Sequence, residues 1–450
     1  MNSKIKLHFL GASHTVTGSK FLIETNQSNI LIDCGMFQGL KELRLLNWKP
    51  FPFPAKDIDF VVLTHAHLDH CGYLPKLIQQ GFKGSVYGTA PTLAIAEVIL
   101  RDSAVIQEEE AKKANDEGYS SHQPALPFYT LKEAEQTIKH FKTQKINEWI
   151  TLTESIRYRH QKNGHIIGAT FIELEVNEKI IVRKNDLLLD PPNKPKWADI
   201  LVMESTYGNK LHPENDVDIL LTESIKQCIH NKSTLIIPSF AVERLQTLMY
   251  KLWELYSKNK IPQIPIFIDS PMGNEVIDIF SQFPEWHKLS GKEFNALKKH
   301  FNIITSYKDT WETIDDQRAK VVIAGSGMVT GGRVLTYLRY YLDKPETIVL
   351  LAGFQAEGTR GRQLQEGAHE LKLHGKYIPV KAQIKSIQSL SAHADQSELI
   401  DWMNDIKNIP EQVFLVHGEP TALDALRVKI NDTYGYKTSI PMLNDVFEID

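Results

Sequence analysis

A run of six residues, His65-Ala66-His67-Leu68-Asp69-His70, follows directly after an apolar segment that ends at Leu63. Each imidazole nitrogen and carboxylate oxygen carried toward a core needs a polar partner, so packing alone explains this run poorly. On extended backbone, residues i and i+2 point the same way, so His65 and His67 can share one metal ion while Asp69 and His70 turn toward a second. The run therefore predicts a two-metal hydrolytic site. The alternative is a surface cluster or a set of buried structural histidines.

Composition limits the class of protein. The chain has 450 residues, 42% hydrophobic and 24% charged, which is typical of a globular protein with two domains or with one large insertion. A formal net charge of -4 argues against a strongly basic nucleic-acid binder, although a local basic groove stays open. Cys34, Cys71 and Cys228 are too few for a disulfide framework, so we expect a cytoplasmic protein. We expect no membrane anchor, because no window contains the ~20 apolar residues that cross a bilayer.

The pattern of strands and helices changes along the chain. Before residue 64, short β-rich runs are separated by Gly, Asn and Ser turn signals, as in hairpins. From about Tyr207, apolar strands at 234–237, 264–268, 320–324 and 347–351 alternate with amphipathic helices, which predicts a buried parallel sheet. After Pro379 the sequence returns to hairpin-like strands. We therefore expect three segments, residues 1–207, 208–379 and 380–450, with the middle segment inserted into a domain formed by the other two.

Residues far from the six-residue run complete a resemblance to a known family. The chain resembles the metallo-β-lactamase fold and its β-CASP branch, which contains RNA-processing nucleases related to the nuclease subunit of the cleavage and polyadenylation specificity factor. The matching residues are the H-x-H-x-D-H run, Asp33, His165, the segment Glu204-Ser205-Thr206-Tyr207-Gly208, His393 and His417. The resemblance implies an α/β protein, an αββα metallo-β-lactamase sandwich with an inserted α/β β-CASP cap domain and an RNA channel between them.

The resemblance also assigns the metal ligands. His65, His67 and His165 would bind one zinc ion through neutral imidazole nitrogens, and Asp69, His70 and His417 would bind a second. Taken alone, His165 or His417 would more often be a structural histidine, and the six-residue run makes ligation the better interpretation.

Three residues are the expected catalytic residues: Asp69, Glu204 and His393. An imidazole can give a proton to the departing 3'-oxygen of a phosphodiester, and His393 is the candidate for that role. Glu204 would orient His393 by accepting its other ring proton. Asp33 would orient a metal ligand, or else would only form the turn before Gly35.

A glycine-rich stretch offers candidate contacts to the RNA backbone. Exposed amides near Ser326 and Gly327, and the guanidinium groups of Arg333 and Arg360, suit phosphate oxygens. Glycine-rich turns and surface arginines are common without such a role, so both interpretations stay open.

One motif of the family is missing. The family places a Ser-Gly-Asp segment after a strand, and its aspartate bridges both metal ions. Here the strand at 179–182 continues into Arg183-Lys184-Asn185-Asp186 without that segment, and Asp186 stands about where the bridging residue belongs. We expect two zinc ions, the second of which depends on whether Asp186 reaches the metals.

These patterns favour a zinc-dependent ribonuclease. A metal-bound hydroxide would attack the backbone phosphorus of single-stranded RNA and leave 5'-phosphate and 3'-hydroxyl ends. The alternative is a catalytically weakened or inactive RNA-binding or assembly subunit that has lost the bridging motif. A third class, hydrolysis of a small ester or thioester, fits the β-CASP motifs less well. The sequence leaves open endonuclease or exonuclease action, the natural RNA target and the oligomeric state, a homodimer being one option.

Overall fold

A computed structural model gives the fold and describes residues 5–118, 122–176, 179–182, 189, 191–213, 216–387 and 389–449. The chain divides into two units. The first is formed by Met1–Leu211 together with His393–Asp450, and the second by His212–Ala392. The second unit is therefore an insertion in the first.

The first unit contains two mixed β-sheets, each with seven strands among the described residues. In spatial order, the strands of one sheet are Val446–Ile449, Ile5–Phe9, Phe21–Glu24, Asn29–Ile32, Phe60–Val62, Ser85–Thr89 and Phe141–Gln144. The strands of the other are Thr438–Ser439, Gln412–Val416, Ile200–Glu204, Lys179–Val182, Thr170–Val176, Ile156–Lys162 and Ile150–Thr153.

Helices cover both sheets of the first unit. Phe9 and Val62 of one sheet and Tyr158 and Phe414 of the other belong to one buried cluster, so the two sheets share a core. The helices of this unit are Lys41–Leu46, Leu68–Cys71, Leu74–Gln79, Ala90–Glu117, Leu131–Ile138, Gln396–Met403 and Pro420–Tyr434, with a 3-10 turn at Ala55–Asp57.

Each sheet has its own helical layer. Helix Ala90–Glu117 contacts strands Ser85–Thr89 and Phe141–Gln144 of one sheet. Trp402 and Leu426, on helices Gln396–Met403 and Pro420–Tyr434, pack against Met203 of the other sheet in a second buried cluster. The predicted αββα sandwich is confirmed.

The second unit is built around a parallel sheet of six strands among the described residues. In spatial order they are Asn302–Ile303, Ile266–Asp269, Lys320–Ala324, Thr234–Pro238, Ile348–Ala352 and Gln383–Ile387. Central strands such as Thr234–Pro238 are buried at every position, which explains their continuous apolar pattern. The helices are Asp216–His230, Arg244–Ser257, Pro271–Gln282, Gly291–Lys298, Tyr307–Asp315, Val334–Tyr341 and Arg360–Gln365, with a 3-10 turn at Pro284–Trp286 and a hairpin of Glu370–Leu373 and Lys376–Pro379.

The return to the first unit comes later than residue 380, where the sequence pattern places it. Strand Gln383–Ile387 pairs in parallel with Ile348–Ala352 and belongs to the second unit, which ends at Ala392. This strand lies at the edge of its sheet and is only partly buried. Its alternating polar and apolar residues therefore resemble those of a hairpin strand.

Among the helices of the described residues, none combines the length and the apolar character that crossing a lipid bilayer requires.

Candidate metal centre

The H-x-H-x-D-H run changes backbone conformation in its middle. After strand Phe60–Val62 the chain is irregular, with a bend at Thr64, and it reaches His67 with φ and ψ of -59° and 149°. Helix Leu68–Cys71 then begins, and the amide of His70 donates to the carbonyl of His67 at 2.8 Å. Because the helix turns the chain, His65 and His67 belong to one cluster of candidate ligands and Asp69 and His70 to another.

The first cluster contains His65, His67 and His165. Nδ1 of His67 lies 3.1 Å from Nε2 of His65 and 3.0 Å from Nε2 of His165. Two nitrogens bound to one tetrahedral zinc ion at about 2.0 to 2.1 Å are about 3.3 Å apart, close to these separations. His65 and His165 are both 4% exposed, so the nitrogens converge where little water reaches. This donor set fits a divalent metal ion.

The turn that carries His165 is fixed by hydrogen bonds and by the conformation of a glycine. The turn joins strands Ile156–Lys162 and Thr170–Val176, and Oδ1 of Asn163 accepts from the amide of His165 at 2.9 Å. Gly168 has a φ of 83°, and its carbonyl accepts from the hydroxyl of Thr89 at 2.7 Å. The turn is therefore hydrogen-bonded to Thr89, the residue that caps the N-terminus of helix Ala90–Glu117.

Gly168→Ala is expected to lower the free energy of unfolding by at least about 2 kcal/mol, because a positive φ and overpacking each cost about 1 to 3 kcal/mol. A Cβ at Gly168 would lie only 2.5 Å from the backbone nitrogen of Thr92. Gly118 also has a positive φ, 67°, but faces open space, so Gly118→Ala is the control and should cost about 1 kcal/mol. Urea unfolding measures both, and equal losses would contradict the packing argument.

The second cluster contains Asp69, His70 and His417. Oδ2 of Asp69 lies 3.2 Å from Nε2 of His417 and 3.4 Å from Nε2 of His70. The buried carboxylate of Asp33 lies 2.7 Å from Nδ1 of His70 and also accepts from the amide of Thr64. Because Asp33 holds the proton on Nδ1, Nε2 of His70 keeps a lone pair for a metal ion.

Strand pairing brings distant residues to this cluster. Strands Ile200–Glu204 and Gln412–Val416 run in parallel with Val416 opposite Glu204. His417 follows directly, with a φ of 52°, and its amide donates to the carbonyl of Ala12 at 2.7 Å. The register therefore places Glu204 and His417 at the same end of the sheet.

A third cluster joins Glu204 and His393 to His417. Oε2 of Glu204 lies 2.6 Å from Nδ1 of His393, and the side chain of His393 is 21% exposed. The ring centroid of His393 lies 4.7 Å from that of His165 and 5.6 Å from that of His417. His393 therefore lies beside both candidate metal sites while its ring is partly accessible.

The hydroxyl of Thr206 also belongs to this cluster. It lies 2.7 Å from Oε2 of Glu204 and 3.1 Å from Nδ1 of His417. In the sequence, Thr206 is noted only as part of the segment Glu204-Ser205-Thr206-Tyr207-Gly208, in which Glu204 alone is assigned a role. Only the three-dimensional structure identifies the contacts of Thr206.

The carboxyl groups of Asp69 and Glu204 are ionised. Burial on its own raises the pKa of Asp69, but His70 and His417 outweigh burial and hold that pKa well below its usual range. Burial likewise raises the pKa of Glu204, and the neighbouring His393 and His417 more than reverse this effect. Two anions among imidazoles, in a region with little water, attract a cation.

Asp186 lies outside the described residues, so its predicted contact with the metals stays a prediction. The other residues that the sequence predicts to bind metal all belong to the first two clusters.

Two of the predicted phosphate-binding residues lie in a tight loop of the second unit. Oγ of Ser326 accepts from the amides of Thr330 and Gly331 at 3.0 and 3.2 Å, so these amides are engaged within the loop. A Cβ at Gly327 would lie 2.6 Å from the ring of Phe240, so the backbone packs closely there. The loop has a structural role in its own unit, and phosphate binding by it stays a prediction.

The two predicted phosphate-binding arginines also make contacts within the second unit. The guanidinium of Arg333 lies 3.5 Å from the ring centroid of Tyr307 and 3.7 Å from the buried carboxylate of Asp269. Arg360 donates to the carbonyls of Lys372 and Thr330 at 2.8 and 3.1 Å. Contact of either arginine with RNA stays a prediction.

Comparison with known families identifies three regions of the chain. Residues 16–116 match the metallo-beta-lactamase superfamily, and residues 245–364 match the Beta-Casp domain. Residues 377–441 match a family described as the Zn-dependent metallo-hydrolase RNA specificity domain.

The chain is also similar to curated proteins over nearly its whole length. It is 32% identical to Ribonuclease TTHA0252 of Thermus thermophilus, over 92% of this chain and 94% of that protein. It is 28% identical to the transcription termination factor FttA of Methanocaldococcus jannaschii, over 99% of this chain and 72% of the relative. An RNase J-like protein of the same organism is 28% identical, over 99% of this chain and 100% of that protein.

A solved structure shares the fold at low sequence identity. The crystal structure of a protein of unknown function from Enterococcus faecalis V583 has a TM-score of 0.55 and 13% identity, over 99% of this chain and 100% of that chain. The sandwich, the inserted parallel-sheet unit, the metal-binding clusters and the sequence relatives lead to one conclusion. The chain belongs to the β-CASP branch of the metallo-β-lactamase superfamily.

Proposed function

We propose that the chain is a zinc-dependent ribonuclease that hydrolyses phosphodiester bonds of single-stranded RNA and leaves 5'-phosphate and 3'-hydroxyl ends. The observation that carries the proposal is the convergence of six candidate ligands beside the Glu204–His393 pair. The six ligands are His65, His67, Asp69, His70, His165 and His417. The names of two relatives, a ribonuclease and an RNase J-like protein, support RNA as the substrate.

The donor set suits zinc, since neutral imidazoles and a carboxylate are its ordinary ligands. When bound, the metal ions supply the Lewis acidity that activates water and offsets negative charge on the phosphate. The contribution of the protein is to fix the donors beforehand. Asp33 holds Nδ1 of His70, and Asn163 holds the backbone of His165, so the ligand nitrogens need little rearrangement to bind.

His393 would complete the reaction at the leaving group. When the bond between phosphorus and the 3'-oxygen breaks, that oxygen needs a proton, and Nε2 of His393 can give one. The ionised carboxylate of Glu204, 2.6 Å from Nδ1, stabilises the protonated imidazole and fixes its orientation. Glu204 is buried while His393 is partly exposed, so the acid can reach substrate and its orienting group stays shielded.

A second candidate function has one specific observation in its favour. The Ser-Gly-Asp segment of the family is missing from this chain, and Asp186 is the remaining candidate for its bridging aspartate. Without a bridging anion the second metal ion would bind more weakly, by about 10 to 100-fold if the loss resembles that of a supporting group. The chain would then act as an RNA-binding or assembly subunit.

The proposed function is tested by titrating metal-stripped protein with zinc and measuring the bound zinc and the cleavage of RNA labelled at either end. We expect close to two zinc ions per chain and cleavage products with 5'-phosphate and 3'-hydroxyl ends. Single-stranded DNA and a thioester are parallel substrates. Thioester turnover without RNA cleavage would overturn the ribonuclease proposal.

A variant with Phe-Ser-Gly-Asp-Ile-Gly inserted after Val182 separates the two candidate functions. Equal zinc content and equal RNA cleavage with and without the insertion would mean that Asp186 already serves as the bridge. Cleavage only in the variant would favour the RNA-binding subunit for the chain as it stands.

A further inference from the structure

The hydroxyl of Thr206 lies among three polar groups of the metal centre. Its Oγ1 is 2.7 Å from Oε2 of Glu204, 3.1 Å from Nδ1 of His417 and 3.3 Å from Nδ1 of His393. Thr206 is 4% exposed, so water does not compete freely for these contacts. The hydroxyl therefore links a metal-ligand histidine to the carboxylate that holds the candidate acid.

Counting protons fixes the direction of these hydrogen bonds. A threonine hydroxyl has one proton to donate and two lone pairs that accept. The nearest acceptor is the carboxylate of Glu204, at 2.7 Å, whereas the carbonyl of His417 is farther, at 3.2 Å. Glu204 therefore takes the Thr206 proton, and Oγ1 keeps its lone pairs for ring N–H groups.

When Nε2 of His417 binds a metal ion, the neutral ring carries its proton on Nδ1. That N–H donates to Oγ1 of Thr206, and the opposite nitrogen, Nε2, faces Oδ2 of Asp69 at 3.2 Å. A neutral imidazole protonated on Nδ1 has its lone pair on Nε2, where a metal ion bound with Asp69 would need it. The other tautomer would place a proton between the ligand nitrogen and the metal.

We propose that Thr206 is a positioning residue: its hydroxyl accepts from the Nδ1–H of His417 and so orients Nε2 of that ring toward the second metal site. The inference rests on the proposed two-metal function. By this inference, the carboxylate of Glu204 orients two histidines. It accepts directly from His393, and it orients His417 through the hydroxyl of Thr206. His70 has a direct carboxylate partner in Asp33, so the two histidine ligands of the second site are oriented in different ways.

The test separates the Thr206 hydroxyl from the shape of the side chain. Thr206→Val keeps the branched shape and removes the hydroxyl, whereas Thr206→Ser keeps the hydroxyl. Thr137→Val is the matched control, because Thr137 is fully buried in the same unit and its hydroxyl donates to the carbonyl of Glu133 within a helix. Zinc affinity is measured by competition with a chromophoric chelator, and the exchange of the Nδ1–H of His417 with water by ¹H–¹⁵N NMR of the zinc-loaded protein.

We expect Thr206→Val to weaken the second zinc ion by about 10 to 100-fold, as for other groups that orient a metal ligand, and to leave the first unchanged. Thr206→Ser should bind both zinc ions with affinities within a few-fold of wild type, and Thr137→Val should bind them with wild-type affinities. In the zinc-loaded wild type, the Nδ1–H of His417 should exchange slowly with water, and in Thr206→Val it should exchange at least about 10-fold faster, because its acceptor is gone.

Two outcomes would overturn the inference in different ways. Wild-type affinity for both zinc ions in Thr206→Val would remove the role of Thr206 and leave the proposed function intact. A wild-type protein that takes up one zinc ion or none would remove the two-metal function together with the inference. If Thr206→Val does not fold, the spectrum of the zinc-loaded wild type decides, since a His417 ring without a slowly exchanging Nδ1–H would contradict the hydrogen-bond assignment.

Discussion

Asp69→Asn is expected to reduce RNA cleavage by more than about 10³-fold, beyond the ~10 to 100-fold that loss of a supporting group costs. The carboxylate of Asp69 lies between His417 and His70, at 3.2 and 3.4 Å from their Nε2 atoms. Asparagine has almost the same shape but no negative charge. A metal ion between His70 and His417 would therefore lose the anionic ligand that lies between the two imidazoles. Single-turnover cleavage of labelled RNA measures the loss.

Metal analysis shows whether that loss has the expected cause. The cluster of His65, His67 and His165 does not include Asp69, so Asp69→Asn should keep one zinc ion per chain. Asp424→Asn is the control, since Asp424 is exposed and pairs with Arg427 on a helix surface. Cleavage by Asp69→Asn at more than a tenth of the wild-type rate would contradict a role of Asp69 in the second metal site.

The metal ligands could be predicted from the sequence because their chemistry leaves few alternatives. Four polar side chains in six residues after a strand are costly to bury without a metal ion, so the H-x-H-x-D-H run is informative by itself. His165 and His417 carry no such signal alone. Their assignment came from the family resemblance, and the structure brings both into the clusters formed by the run.

Features that depend on neighbours in space could not be predicted. Gln383–Ile387 has the alternating pattern of a hairpin strand because it lies at the edge of a parallel sheet, and its partner cannot be inferred from that pattern. The loop at Ser326 has the glycines of a phosphate-binding turn, yet its serine hydroxyl engages two of the amides. Whether a backbone N–H is free is decided by folded geometry, which composition does not contain.

The role of Thr206 illustrates the same limit within the centre. Glu204, Thr206 and His417 meet because two strands pair in a register that places Val416 opposite Glu204. The sequence shows a polar residue at the end of one strand, Glu204, and directly after the other, His417, but it does not give the register of the two strands. The two hydrogen bonds that lead from His417 through Thr206 to Glu204 therefore follow from the register of the sheet.

His393→Gln is expected to slow cleavage of ordinary RNA by about 10² to 10⁴-fold, the usual contribution of a general acid. If His393 protonates the leaving oxygen, the loss must depend on that oxygen. In a substrate with sulfur in place of the 3'-bridging oxygen, the leaving group departs as a thiolate. It needs no proton, because a thiol has a pKa of only about 8.5. The same variant should cleave this substrate within about 10-fold of wild type, a small fraction of the loss expected on ordinary RNA.

His8→Gln is the matched control for this experiment. Nε2 of His8 lies 2.8 Å from Oε2 of Glu24, so it is also a histidine paired with a glutamate, but neither residue belongs to the metal-binding clusters. It should cleave both substrates at the wild-type rate, and both variants should keep wild-type zinc content. An equal loss on the oxygen and sulfur substrates in His393→Gln would mean that His393 positions the RNA or a ligand and gives no proton to the leaving group.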